Sequence, residues 1–457
     1  MSMTTPFICS AVIGILILGI SIYCTLLNFE LENAYGLIPK VGTLPILNSS
    51  SGSVSDTKFK VEIVATGLER PTNMAFLSSG DILVLEKNTG LVKKIVNSTV
   101  LKDPVFDANV STFDTRGMLG IAVTKNETLN KEYVFLYYTE AKSGEQDGKD
   151  KCFTFSECDP EHLPNGNRLY RFELSDAGTK LVNQKLIFGW PPFSGATHNG
   201  GELRIGPDNN IYVAVGDGDP TKTQTANYEN SEILGYGGIL AFDHNGNPAF
   251  KNGILGSKDP LNRYYAYGIR NSFGFDFDPI TSKLWDTENG PGFGDEINFV
   301  ELGFNSGSHQ VQGFWKQESY FINNYVDDQF KDTSRLENFN GNGKYSAPEF
   351  TTGNHTLGIT AIKFLDSNKY GNEYENDIFV GSAMNYGIVY HFNLNKDRTE
   401  LDLSGPIEDK IADNYEEMSN AIFAGPFDTI SDITVGPDGY MYIVSNYRGE
   451  IYRIVPK

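Results

Sequence analysis

The chain has 457 residues, a formal net charge of −21 and 40% hydrophobic residues. An acidic balance of this size argues against a nucleic-acid partner, which needs a basic footprint, and against docking on anionic lipid. The 47 glycines and 24 tyrosines, with no long helical periodicity, point away from a helical protein and toward strands and tight turns.

In chain order, Phe7 to Leu27 is an uncharged apolar run. About 20 such residues suffice to cross ~30 Å of hydrocarbon as a helix. Residues 1–29 are therefore expected to be a transmembrane helix or signal anchor. The protein would be single-pass in the cell membrane with the rest outside the cytoplasm, or secreted if the segment is cleaved as a signal peptide. Residues 30–58 read as a linker, with the serine-rich stretch Asn48 to Ser55 as a flexible tether. Outside the cytoplasm Cys152 and Cys158, six apart in a polar loop, are free to form a disulfide. Asn-x-Ser/Thr sequons at Asn48, Asn97, Asn109, Asn126 and Asn354 suit the surface of an exported glycoprotein.

From Phe59 onward one pattern recurs: an alternating strand, a Gly/Asp/Asn turn, and a second strand rich in Ile, Val, Tyr and Phe. The clearest copies are Ile433 to Ile454 and Glu202 to Asp219. Another starts at Met74, and looser ones start at Leu119, Phe273 and Thr360. One small sheet cannot bury both its faces, but six arranged radially bury each other's. The expected fold is all-β, a six-bladed β-propeller over residues 59–457, with the strand from Lys58 to Ala65 joining the last blade to close the ring.

Antiparallel pairing puts the start of each first strand and the end of each second strand on one face of the propeller. Arg116, His198, Arg270, Asn271 and Ser431 occupy the starts; Lys87, Asp217, Glu288, Asn289, Asn385 and Arg448 occupy the ends. Within this ring His198 and Asp217 form a candidate general-base pair, the carboxylate fixing the imidazole tautomer. Arg270 can hold an anion or polarise a carbonyl. The Gly-rich acidic loop from Asp286 to Val300 suits a hard cation such as Ca²⁺.

The ordered set RGMLGIAV, HNGGELRIGPD, YGIRNSFGF, TENGPGFGDEIN and DITVGPDGYMYIVS resembles the soluble quinoprotein glucose/sorbosone dehydrogenases, over roughly Phe59 to Pro456. The resemblance implies a six-bladed propeller that binds pyrroloquinoline quinone and Ca²⁺ at the channel mouth and oxidises an aldose at C1 to a lactone. It assigns His198 as the base, Asp217 as its orienting carboxylate, and Arg270 and Asn271 as contacts to the quinone oxygens. It assigns the carbonyls of Gly290 and Pro291 as cation ligands, with Asp295 and Glu296 in the same loop. The chain departs from the family's pattern at Thr115 (usually Gln or Glu), at Asn385 (usually Lys), and at Thr429 and Ser431 (an Arg-x-Arg pair). Thr115, Asn385 and Arg448 remain candidate cofactor contacts, and Lys87 and Arg116 are further mouth cations.

The expected partners are a small sugar or alcohol substrate, the membrane through the N-terminal segment, and an unidentified electron acceptor. Two other readings compete. One is a non-enzymatic propeller binding a protein or glycan; the other is a Ca²⁺-dependent lactonase-like hydrolase.

Overall fold

The computed structural model describes residues 52–142, 163–192, 196–218, 225–227, 232–318 and 329–457. The chain divides into two units, Met1–Pro45 and Ile46–Lys457. The first unit, with the expected membrane segment, lies outside the described residues, as do Cys152, Cys158 and Asn48. No helix among the described residues is long and apolar enough to cross a membrane. Asn97, Asn109 and Asn354 are exposed and Asn126 is half-buried.

The described part is an all-β propeller whose named helical segments are 3₁₀ turns. Six sheets of four or more strands, and one two-stranded ribbon, occur among the described residues. Their first strands are β1 (Pro71–Phe76), β2 (Met118–Asn126), β3 (Leu203–Ile205), β4 (Ser272–Phe277), β5 (Ile359–Phe364) and β6 (Ile430–Val435). β1 packs on β2 and β2 on β3. The sheet of β3 meets β4 through its second strand, Ile211–Val215, and β4 packs on β5, β5 on β6, and β6 back on β1. The first strands therefore surround a central axis. Near it, a Cβ on Gly120 of β2 would lie 1.8 Å from the Gly201 carbonyl oxygen. Only glycine permits that approach.

Second strands are short and apolar because both of their faces are covered. Ile82–Glu86, Ile211–Val215, Ile378–Ser382 and Met441–Ser445 are each buried along their whole length. The Gly-Pro-Asp turns are built alike. Asp208 Oδ2 accepts the Tyr212 hydroxyl at 3.0 Å, and Asp438 Oδ2 accepts that of Tyr442 at 2.9 Å. Each carboxylate locks the turn to the strand it starts.

The strand Phe59–Ala65 pairs antiparallel with Glu450–Pro456, Phe59 opposite Pro456, and closes the last sheet as its alternating pattern indicates. One expectation is corrected. Ser53 and Val54, inside the stretch read as a tether, form a strand against Ala424 and Gly425. Ser55 supports it, donating its amide and its hydroxyl to Phe423 O at 2.8 and 3.0 Å. Serines that satisfy their hydroxyls on backbone carbonyls make an edge strand as readily as a flexible tether.

Candidate active site

His198 lies on the approach to β3, and Asp217 follows the paired strand Ile211–Val215 by two residues. Pairing of those strands brings Nδ1 of His198 to 2.6 Å from Oδ1 of Asp217. His198 is 8% exposed and Asp217 3%. With the proton on Nδ1 donated to the carboxylate, Nε2 is left as the acceptor. His198 has a φ of 56°, a left-handed conformation that costs free energy outside glycine and marks a constrained position. Gly216 makes the constraint possible: a Cβ there would lie 2.2 Å from His198 O and 2.8 Å from Asn271 Oδ1.

Arg270 and Asn271 enter from the next sheet, just before β4. The amide of Asp217 donates to Arg270 O at 2.8 Å, and Gly200 N donates to Asn271 Oδ1 at 3.3 Å, so the two sheets share one hydrogen-bonded edge. The Arg270 guanidinium donates through Nη1 to Asn289 O at 2.7 Å, while its amide donates to Glu288 Oε1 at 2.8 Å. Burial lowers the guanidinium's pKa, and Asp217, Glu288 and Asp295 act in the opposite direction. Burial pushes the Glu288 carboxyl up to about 7, although Ser306, Arg270's amide and the Arg270 charge favour its ionised form.

His309 was not anticipated. Its imidazole responds to the charges of both Asp217 and Arg270, and burial lowers its pKa. Its loop reaches the site because Ser308 N donates to Gly268 O at 2.9 Å. The strand-end rule could not find it, since it lies between the short strands Phe304–Asn305 and Val311–Gln312.

In the Gly-rich loop the carboxylates do other work than expected. Asp295 accepts Gly290 N at 2.9 Å through Oδ1. Through Oδ2 it accepts the Thr356 hydroxyl, Leu357 N and Gly358 N at 2.6, 2.8 and 2.7 Å. Glu296 accepts from Gln312, Gly313, Asn298 and Ser306. Both side chains are fully buried and consumed by the protein's own donors, so they shape the loop rather than present oxygens at its surface. Gly290 and Pro291 are the partly exposed members. Among the described residues no group of three or more His, Cys, Asp or Glu side chains is placed to hold a metal.

A cavity of about 180 Å³ opens where the first strands begin, lined among others by Lys87, Thr115, Glu202, Thr429, Ser431 and Asn446. Thr115 accepts Asn199 Nδ2 at 2.9 Å and donates to Ala196 O at 3.2 Å. Asn385 and Arg448 are not among its lining. Asn385 turns to the Tyr390 hydroxyl, and Arg448 Nη1 donates to that of Tyr452 at 3.1 Å. Arg116 is 1% exposed.

A charged network adjoins the cavity through Glu202 and Asn73. Glu202 accepts Asn73 Nδ2 at 3.0 Å and lies 2.9 Å from Arg204 Nη1, whose guanidinium also approaches Asp432 and Asp276. Lys363 pairs with Asp276 at 2.7 Å. These residues come from β3, β4, β5, β6 and the turn before β3, and Asn73 from β1; the network therefore joins five sheets.

The Glucose / Sorbosone dehydrogenase family model matches residues 68–453. The chain belongs to the glucose/sorbosone dehydrogenase family. It is 25% identical over 305 residues to quinoprotein glucose dehydrogenase B of Acinetobacter calcoaceticus, covering 62% of this chain and 59% of that one. It is 22% identical over 404 residues to the aldose sugar dehydrogenase YliI of Escherichia coli, covering 87% and 93%. The PQQ-bound aldose sugar dehydrogenase of Streptomyces coelicolor superposes with a TM-score of 0.60 at 20% identity, covering 88% of this chain and 99% of that one.

Proposed function

We propose that the chain is an extracytoplasmic quinoprotein that oxidises the C1 hydroxyl of an aldose, or a related alcohol, to a lactone or carbonyl with pyrroloquinoline quinone and Ca²⁺. The observation that carries this reading is the His198–Asp217 pair at 2.6 Å beside Arg270 and Asn271. Each of the six sheets reads as one blade, and the apolar run Phe7 to Leu27 as the anchor that holds the propeller outside the cytoplasm.

The donor set fits the quinone at its reacting end. Arg270 and Asn271 supply a guanidinium and an amide next to the imidazole; these residues do not themselves line the cavity, whose wall beside them carries Gly200 and Gly201. Thr115, Lys87, Thr429, Ser431 and Asn446 are among the polar residues on the cavity surface that would face the quinone's carboxylates. The carbonyls of Gly290 and Pro291 are the candidate cation ligands, on a loop fixed by Asp295. When bound, the quinone would supply the two-electron sink for the substrate's hydride. His198 Nε2 takes the hydroxyl proton, and Asp217 stabilises the resulting imidazolium. Arg270 would hold the quinone oxygens through its guanidinium charge.

The test is reconstitution. Adding quinone and Ca²⁺ to the purified protein is expected to give bound-quinone absorbance, a higher melting temperature and aldose-dependent reduction of an artificial electron acceptor. Absence of quinone binding overturns the reading and favours a propeller that binds glycans or proteins without catalysis, the reading to which uncharged Thr429 and Ser431 would then belong.

A further inference from the structure

We infer that the rim of the channel mouth binds a neutral saccharide chain on Tyr386 and Tyr447, so that the substrate is the reducing end of an oligosaccharide; this rests on the aldose-oxidising reading above. Tyr447 lies in the turn between Met441–Ser445 and Glu450–Pro456, directly after Asn446 of the cavity wall. Tyr386 lies in the turn between Ile378–Ser382 and Val389–Phe392. The segment entering β6 links the two turns: Asp428 N donates to Tyr386 O at 2.7 Å, and Asn446 N donates to Thr429 O at 2.8 Å. Both tyrosines therefore flank the start of β6, where Thr429, Ile430 and Ser431 line the cavity.

Among the described residues these are the two exposed aromatic side chains, Tyr386 at 56% and Tyr447 at 61% exposure. Met384, also exposed, shares the turn of Tyr386. Turn preference does not account for Tyr386. Asn385 and Tyr386 have φ of 51° and 68°, and Gly387 N donates to Met384 O at 3.1 Å, the geometry of a hairpin turn that favours Asn-Gly. A bulky side chain at positive φ is strained there. Tyr447 is held in place, with the Arg70 guanidinium 3.8 Å from its ring centroid. Exposed Asp428 and half-buried Asn446 and Arg70 put hydrogen-bonding groups beside the rings. A sugar ring has the matching surface: a C–H face for the aromatic and hydroxyl edges for the polar neighbours. A protein partner of standard size needs a broader apolar core than these few side chains offer.

The experiment uses the full chain and compares glucose with maltopentaose and cellopentaose, by calorimetry and by steady-state kinetics after loading with quinone and Ca²⁺. At least one pentasaccharide is expected to bind about 10-fold or more tightly than glucose, the sum of two stacking contacts. Tyr386→Ala and Tyr447→Ala should each weaken that binding about 2- to 10-fold, while Tyr386→Phe and Tyr447→Phe stay near wild type. In the loaded enzyme the pentasaccharide-to-glucose ratio of kcat/KM should fall by the same factor, through KM. Pentasaccharides that bind no better than glucose, or alanine variants that bind them as tightly as wild type, overturn the inference; if glucose is still oxidised, the quinoprotein reading stands. A wild type that shows no bound-quinone absorbance overturns that reading, and the substrate assignment with it.

Discussion

The Nδ1 atom of His198 and the Oδ1 atom of Asp217, 19 positions apart in sequence, approach to 2.6 Å with both side chains buried. A carboxylate at that distance holds the imidazole in one tautomer, and burial keeps water from competing for the bond. The backbone amide of Asp217 is also tied to Arg270 O, so one hydrogen-bonded edge links the orienting carboxylate to the backbone of the neighbouring arginine.

His198→Ala should accordingly lower turnover about 10²- to 10⁴-fold, the usual worth of general-base catalysis, while quinone affinity changes little. Asp217→Asn should also lower turnover and should change the pH profile of turnover, because the amide no longer selects the tautomer. Steady-state kinetics of both variants, with quinone titrations alongside, check this. Wild-type turnover in His198→Ala would remove the base assignment.

Asp295 accepts four hydrogen bonds, three of them from backbone amides of Gly290, Leu357 and Gly358. Asp295→Ala leaves these buried donors without an acceptor, at roughly 1–3 kcal/mol each. The expected result is a loss of about 3 kcal/mol or more in denaturant unfolding, with weaker Ca²⁺ binding because Gly290 loses its support. Unchanged stability would mean that water replaces the carboxylate in the loop.

Burial holds the Glu202 carboxyl up at about 8 against an ordinary 4.5, with Asp432 and Asp276 adding to the rise and Arg204 opposing it. The folded state then binds more protons than the unfolded state between those two values. This group's contribution to stability is fully present below about pH 4.5 and declines as pH rises toward 8. Glu202→Gln should flatten the wild-type decline in melting temperature across that interval. Parallel melting curves for the two proteins would refute the linkage.

The strand pattern was legible because its period of two, and the Gly-Pro-Asp turns, are local. His198 and Asp217 followed from hairpin geometry alone, one residue at each end of a paired segment. Asp295 and Glu296 did not follow. An acidic pair in a Gly-rich loop has the same sequence whether it faces a cation or staples its own backbone. The choice depends on donors from Thr356 to Gly358, some sixty residues away. Arg448 shows what a strand-end position leaves open: it fixes the backbone, while the long side chain donates to the Tyr452 hydroxyl. Glu202 sat inside a motif already singled out, yet its channel partners Arg204, Asp432, Asp276 and Lys363 come from four different strands and only a closed ring brings them together.

The pairing of Phe59–Ala65 with Glu450–Pro456 makes one sheet wait on synthesis of nearly the whole propeller. The first of these strands leaves the ribosome long before its partner exists, and the sheet that contains β6 cannot be completed until Glu450–Pro456 emerge. Until then an unpaired edge and the apolar faces of the first and last sheets stay open to other chains. Growing chains on crowded polysomes would be most exposed to mispairing in that interval, and a truncation that removes Glu450 to Pro456 would make the exposure permanent.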